Sequence, residues 1–387
     1  MSLPTQPQTR PPSGGDRDDA PPDHVSGIVP SQVRPAGRRP ALVIAALGAG
    51  LAVVAWLVLD LHIAAALVLS FVAYLVALYA TYRRIAGSRV AVDHLVRSLV
   101  YFAFVCAVVP LASVLWTVVA EGAARAFDPQ FLTQTMNGVT GLNDQQYADG
   151  SADFVGGAYH AIMGTLVITG LATVISVPIG MFTAIYLVEY GGRNRLSRGI
   201  RFLVDVMTGI PSIVAGLFAF ALFTQIFGIR DAKMGLAGAV ALSVLMIPTV
   251  VRNSEEMLRI VPNELREAAL ALGVPKWRTI AKVVLPTAAS GLASGVTLAI
   301  ARVIGETAPL LVAIGYARGL NWNPFDGPMN TLAVYAYFMF TKPLSPAVRE
   351  PSLERAWAAA LLLVLLVIAL NLLARLIATL FAPKTGR

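Results

Sequence analysis

Charge is scarce in this 387-residue sequence: Asp, Glu, Lys and Arg together make up 13% of it, about half the share of a soluble domain. Apolar residues make up 56%, and the mean hydropathy is +0.69. A soluble globule of this composition lacks the polar surface to cover itself and would aggregate. That excludes a soluble enzyme, a disordered chain and a nucleic-acid binder; the net charge of +8 reads as basic loops beside a membrane. Cysteine is nearly absent. Cys106 stands alone, so neither an intrachain disulfide nor a cysteine metal cluster is available, and it reads as a small apolar residue in a spanning helix. The histidines, His24, His62, His94 and His160, fall in no metal-ligand spacing, and no nucleophile–base arrangement stands out.

Long apolar runs are what the sequence does have. A spanning helix needs roughly 20 mostly apolar residues. Runs at 41–59, 61–82, 98–120, 160–187, 206–229, 234–251, 286–315 and 356–374 predict about eight transmembrane helices in an all-α integral membrane protein. Arg-rich segments at 1–40, 83–97, 189–205 and 252–285 alternate with basic-poor ones. By the positive-inside rule both termini are then cytoplasmic, and 121–153 and 317–355 lie outside. Residues 1–40 hold nine of the 24 prolines and read as a disordered cytoplasmic tail. No basic patch leads into an apolar run at the start, so the tail does not read as a signal peptide. Residues 41–82 form a tight N-terminal hairpin.

One predicted cytoplasmic loop, 252–285, is long and patterned. It contains VPNELREAALALGVPKWRTIAKVVLP. Pro262 opens a short helix, and Gly273 ends it in the left-handed conformation. Pro275 starts another turn. Leu265, Ala268, Ala269 and Leu272 share one face, and Glu264 and Glu267 lie toward the positive N-terminal end. A helix of about ten residues is marginal alone and must dock on something; the simplest alternative is a helix on the membrane surface anchored by Trp277.

Glu267-Ala268-Ala269, Gly273 and Leu285-Pro286 resemble the EAA loop of bacterial ABC importer permeases, with Val283 where that pattern has Ile. The resemblance implies that these residues couple the chain to an ATPase by a helix-in-groove contact. The ATPase is not in this chain. A Walker A loop needs Gly directly before its Lys, whereas Ala, Pro, Ala, Thr and Pro precede Lys233, Lys276, Lys282, Lys342 and Lys384. ATP and Mg are thus bound by a partner, and no cofactor is expected on this chain. From about Phe131 to Gly315 the sequence is similar to the A-type permease family of phosphate-specific (Pst) transporters, through AIMGTLVITGLATVISVPIG, GIPSIVAGLFAFALF and GETAPLL at Gly305–Leu311. That resemblance implies a type I ABC importer permease core of six helices within 95–382, to which the hairpin is an addition. It also implies three partners: a second permease (PstC-like), an ATPase dimer (PstB-like) and an extracytoplasmic phosphate-binding protein (PstS-like). A permease for another oxyanion shares the EAA loop. A secondary transporter would leave that loop unexplained, and an intramembrane enzyme lacks paired catalytic groups.

Arg302 and Glu306 sit in an apolar run, where each charge costs about 2.5–3.5 kcal/mol. Read as one helix, they stand at i and i+4 and continue the small-residue stripe Gly291, Gly295 and Ala299, which allows close helix approach. Counted from Pro286, Arg302 lies about 24 Å in. Its planar paired donors suit phosphate oxygens, with Glu306 neutralising it when no anion is present; the alternative is a purely structural ion pair. Asp205 reads as a solvated inner-end residue, and Gly209-Ile210-Pro211-Ser212 as a kink.

Overall fold

A computed structural model describes residues 39–58, 62–192 and 194–381. The tail 1–40 lies outside them except for Arg39 and Pro40, as do the turn at Asp60, residue 193 and residue 382. The chain divides into two compact units, 1–110 and 111–387, with the boundary at Pro110. Among the described residues the structure is helical.

The first unit contains α1 (Arg39–Val58), α2 (Ile63–Ala86) and the start of α3 (Ser88–Ala126). Helices α1 and α2 pack together; Gly48 lets the β-carbon of Tyr74 come within 3.4 Å of where its own would stand. Gly87, at φ +85, takes the left-handed conformation that turns α2 into α3. The α2–α3 seam is aromatic. Phe71 stacks on Phe102 at 4.0 Å and Tyr82 on His94 at 3.9 Å, and the Tyr74 and Ser98 hydroxyls are 3.2 Å apart.

The second unit continues through α4 (Pro129–Thr133), α5 (Gly141–Ala148) and α6 (Tyr159–Ile185), which ends in a π turn at Tyr186–Tyr190. Then follow α7 (Arg195–Thr208), α8 (Ser212–Phe227), α9 (Gly235–Ile260), α10 (Asn263–Ala271) and α11 (Lys276–Thr279). A second π turn, Ile280–Val284, leads into α12 (Leu285–Val303), and α13 (Ala308–Ala313), α14 (Leu332–Thr341) and α15 (Glu350–Phe381) complete the chain. Six described helical stretches are long and apolar enough to cross a membrane: Ala65–Ala86, Ser88–Ala126, Tyr159–Tyr190, Gly235–Ile260, Lys276–Val303 and Glu350–Leu376. The pair α7 and α8 makes a seventh if it is one broken span, and the twenty-residue α1 stands outside that count.

The core lies where α6, α8, α9, α12 and α13 meet, around Ile168, Ala219, Leu242, Met246 and Val303. Small residues bring backbones together there. A β-carbon on Gly216 would lie 2.5 Å from the Pro309 backbone, and one on Gly295 2.8 Å from the Asn253 β-carbon. A second cluster joins α3, α6, α14 and α15 through Ala126, Ala161, Tyr335 and Ala359.

The predicted spans need four corrections. The run 206–229 is not one kinked helix. It breaks by 106° between α7 and α8, because Pro211 cannot donate a helical hydrogen bond and pushes Ile210 out of the helical region. The run 286–315 begins earlier, at Lys276, and ends at Val303, with α13 a separate short helix. Residues 252–260 are the last turns of α9 rather than loop. The segment 317–355 contains α14, whose Leu332, Val334 and Tyr335 are fully buried.

Candidate functional site

The patterned loop forms a compact, protruding element. Pro262 caps α10 in extended conformation, and Gly273 follows it at φ +77. Val274 N–H donates to Ala269 O at 3.2 Å and Gly273 N–H to Leu270 O at 2.9 Å, the paired bonds of a Schellman motif. The positive φ expected of Gly273 is therefore present, and for the expected reason: the carbonyls at the end of α10 need donors. Nothing in α10 is buried. Glu267 and Ala268 are exposed and Ala269 is half-buried; Leu272 is 84% exposed and Trp277, on α11, 60%. Leu285 and Pro286 open α12 immediately after the π turn, Leu285 packing against the cluster of Leu258, Val284 and Leu292. The motif residues thus cluster at one end of the helices, with an apolar surface of mixed charge left uncovered.

Beside this element lies a layer of ion pairs. Arg266 Nε donates to Glu189 Oε1 at 3.0 Å. Arg201 Nε donates to Glu255 Oε1 at 3.1 Å, and Arg259 Nη2 reaches the same oxygen at 2.5 Å. Arg252 pairs with Asp205. Asp205 is therefore paired with α9, not simply solvated.

Arg302 and Glu306 do not form the predicted pair. Arg302 lies in the last turn of α12, while Glu306 lies in the break before α13, so they are not one turn apart on a helix. Arg302 Nη1 instead donates to Thr249 Oγ1 of α9 at 3.3 Å, and no Arg302–Glu306 ion pair occurs among the described residues. The helix stops because the turn Glu306 N–H to Val303 O precedes Pro309, which disfavours continuation. Arg302 and Gly305 are exposed and Glu306 half-exposed. The stripe Gly291, Gly295 and Ala299 faces α9: Asn253 Nδ2 donates to Gly295 O at 3.2 Å, and the Met257 sulfur occupies the space beside Gly291.

Sequence reasoning missed the best-buried ion pair. Arg355 Nη1 and Nη2 meet Asp144 Oδ2 and Oδ1 at 3.1 and 2.8 Å, with both side chains at most 1% exposed. Ser352 Oγ donates to the same carboxylate and Arg355 also holds Val155 O. Each residue sits in a stretch that reads as loop, and no local signal marks their pairing. Close by, Arg125 joins Glu354 at 2.7 Å and also donates to the Tyr147 hydroxyl. Burial pushes the Tyr316 hydroxyl, in the segment before α14, up to about 12, so it stays neutral. Among the described residues no three His, Cys, Asp or Glu side chains gather as a metal site.

The family described as binding-protein-dependent transport system inner membrane component matches residues 176–387. The chain is 46% identical over 277 residues, 72% of its length and 84% of the relative's, to "Phosphate transport system permease protein PstA 1" of Mycobacterium tuberculosis H37Rv. It is 44% identical to the PstA protein of Mycobacterium leprae, covering 70% of this chain and 84% of that one. To the PstA protein of Pasteurella multocida it is 40% identical, over 60% and 78%. Among solved structures, an inward-facing MetNI methionine ABC transporter chain aligns with TM-score 0.44 and 22% identity, over 58% of this chain and 94% of that one.

Proposed function

Because the chain belongs to the family of binding-protein-dependent transport system inner membrane components, we propose that it is the permease subunit of an ATP-driven inorganic phosphate importer. The substrate assignment is supported by relatives at 40–46% identity that carry the name of phosphate transport permeases. The observation that carries the ATP-driven reading is α10, a nine-residue helix with nothing buried. Such a helix is marginal alone in water, and this one leaves Leu265 and Leu270 exposed, with Leu272 of its C-cap. A groove on a separate ATPase subunit would cover it.

In this reading Glu267, Ala268, Ala269 and Gly273 present the coupling helix, and Leu285 and Pro286 join it to α12. Arg302 lines the phosphate path where α12 breaks. A guanidinium offers planar paired donors to phosphate oxygens, and the backbone groups freed between Val303 and Ala308 add further donors and acceptors where they line a cavity. The exposure of Arg302 fits a path shared with a second permease. Glu306 acts separately from Arg302. The remaining partners are an ATPase dimer, which binds ATP and Mg, and an extracytoplasmic phosphate-binding protein. The termini are cytoplasmic, residues 41–82 are a hairpin added to the six-helix permease domain of 95–382, and 252–285 faces the ATPase.

Two experiments test this. In a bacterial host lacking its own phosphate importers, the complete transporter should restore radiolabelled phosphate uptake only when this chain and an active ATPase are both present. Uptake of another oxyanion instead, or phosphate uptake with the ATPase inactivated, overturns the reading. Reporter fusions at Gly141 and Gly327 should report an external location; a cytoplasmic signal from either refutes the orientation.

A further inference from the structure

Although α10 is unburied, one of its side chains is not free. Arg266 has a side chain only 15% exposed and directs its donors to three places. Nη2 reaches Leu258 O at 2.8 Å and Nη1 reaches Val261 O at 2.6 Å, both at the end of α9. Nε meets Glu189 Oε1 at 3.0 Å, in the π turn that ends α6. Nη1 also bonds Asn263 Oδ1 at 3.1 Å within α10. Among the described residues no other side chain of α10 hydrogen-bonds a spanning helix.

Glu189 is held from the other side of the Gly273 turn as well. Lys276 Nζ, at the start of α11, donates to Glu189 O and lies 5.0 Å from the Tyr190 ring centre. Both arms of the turn thus grip one residue at the end of α6. The carboxylate of Glu189 is 6% exposed, so removing its charge partner leaves a buried ion uncompensated. The bonds to Leu258 O and Val261 O are local capping of α9, a task any basic residue near a helix C-terminus can perform. The bond to Glu189 spans 77 residues and has no capping purpose.

We propose that the Arg266–Glu189 contact is a mechanical tie: it makes α10 move as one body with the end of α6, so that displacement of α10 by the ATPase moves that helix. Arg266 and Glu189 are positioning residues; neither touches substrate. The proposal rests on the coupling reading of α10. Its physical basis is stiffness. Nε and Nη2 both lie 3.0 Å from Glu189 Oε1, a charged two-donor contact that fixes direction as well as distance, whereas the chain connection through Val261 and Pro262 and the local bonds to the α9 carbonyls do not join α10 to α6.

The test uses the complete transporter in liposomes, with phosphate uptake and ATP hydrolysis measured on the same vesicles. Glu189→Gln keeps size and a hydrogen-bond acceptor but removes the charge. Arg266→Lys keeps the charge but loses the fork. Each should leave ATP hydrolysis within about twofold of wild type and lower phosphate moved per ATP by about tenfold, the loss expected when a charged hydrogen-bonded pair becomes a neutral or misaligned one. The double variant should fall no further than the lower single, because both remove one contact. A wild-type ratio in assembled Glu189→Gln complexes, losses that multiply in the double variant, or hydrolysis that falls in step with uptake each overturns the tie. Should Arg266→Lys fail to assemble, Glu189→Gln decides alone, since Arg266 keeps its bonds to the α9 carbonyls there. Failure of the coupling reading looks different: Gly273→Val would then keep wild-type uptake.

Discussion

Substitution of Gly273 isolates a backbone conformation from packing. Its φ is +77, and a β-carbon there would meet nothing within 4 Å. No clash contributes, so the cost of a side chain is conformational only. For an L-residue the left-handed region costs about 1–2 kcal/mol. Asn tolerates it, Ala bears the full cost, and β-branched Val is a genuine outlier. The only alternative for the chain is to open the turn, which breaks the Val274–Ala269 and Gly273–Leu270 bonds and frays a helix of nine residues. A penalty of that size lowers the closed population by about 5–30-fold. Phosphate uptake normalised to assembled complex should therefore rank Gly, then Asn, then Ala, then Val, with Ala at least about fivefold below wild type once the closed turn limits coupling. The assay is initial-rate uptake in membranes where the ATPase subunit co-purifies with the tagged chain. The series matters more than any single value, because a steric account would place the bulkier Asn below Ala, the reverse of the conformational order. Equal uptake by Asn and Val variants would refute the argument.

The Asp144–Arg355 pair should dominate stability outside the core. Asp144→Asn is expected to cost about 3–5 kcal/mol by leaving a buried guanidinium uncompensated, and joint replacement of Asp144 and Arg355 by apolar residues to recover part of it; the check is thermal unfolding in detergent, and a melting temperature unchanged in Asp144→Asn refutes it. Arg302→Lys should lose most uptake while the complex assembles, because lysine lacks the paired planar donors; near-normal uptake removes Arg302 from the path. Since Arg302 bonds Thr249 rather than Glu306, the effects of Arg302→Lys and Glu306→Ala on uptake should be independent and multiply in the double variant; a double variant no worse than either single would restore the discarded ion pair.

Elements whose cause is local were legible in the sequence. Apolar runs of spanning length, the cap at Gly273 and the small-residue face of α12 each depend on residues within a few positions, so composition and spacing reveal them. The EAA pattern is legible for the same reason, since a turn and a short helix carry their own signals. The breaks at 209–211 and 304–307 were half-legible. Pro211 and Pro309 announce an interruption, but not the 106° between α7 and α8 nor the partners that the polar edge of α7 meets on α9, Arg201 on Glu255 and Asp205 on Arg252.

The partners of charges required the tertiary structure. Glu189 and Arg266 are 77 residues apart, and Asp144 and Arg355 are 211 apart. In the sequence each looks like an ordinary loop charge or helix-end charge. Charge counting fixes how many ions an end of the molecule carries, but not which are buried. Burial follows from how α6, α9 and α10 converge and from how α5 meets the start of α15. The same holds for Arg302. The sequence determined that an arginine lies deep in an apolar run; only the break in α12, which took Glu306 off the helix, decided that its protein partner is the Thr249 hydroxyl. Periodicity assumes a continuous helix, and the backbone stops at Val303.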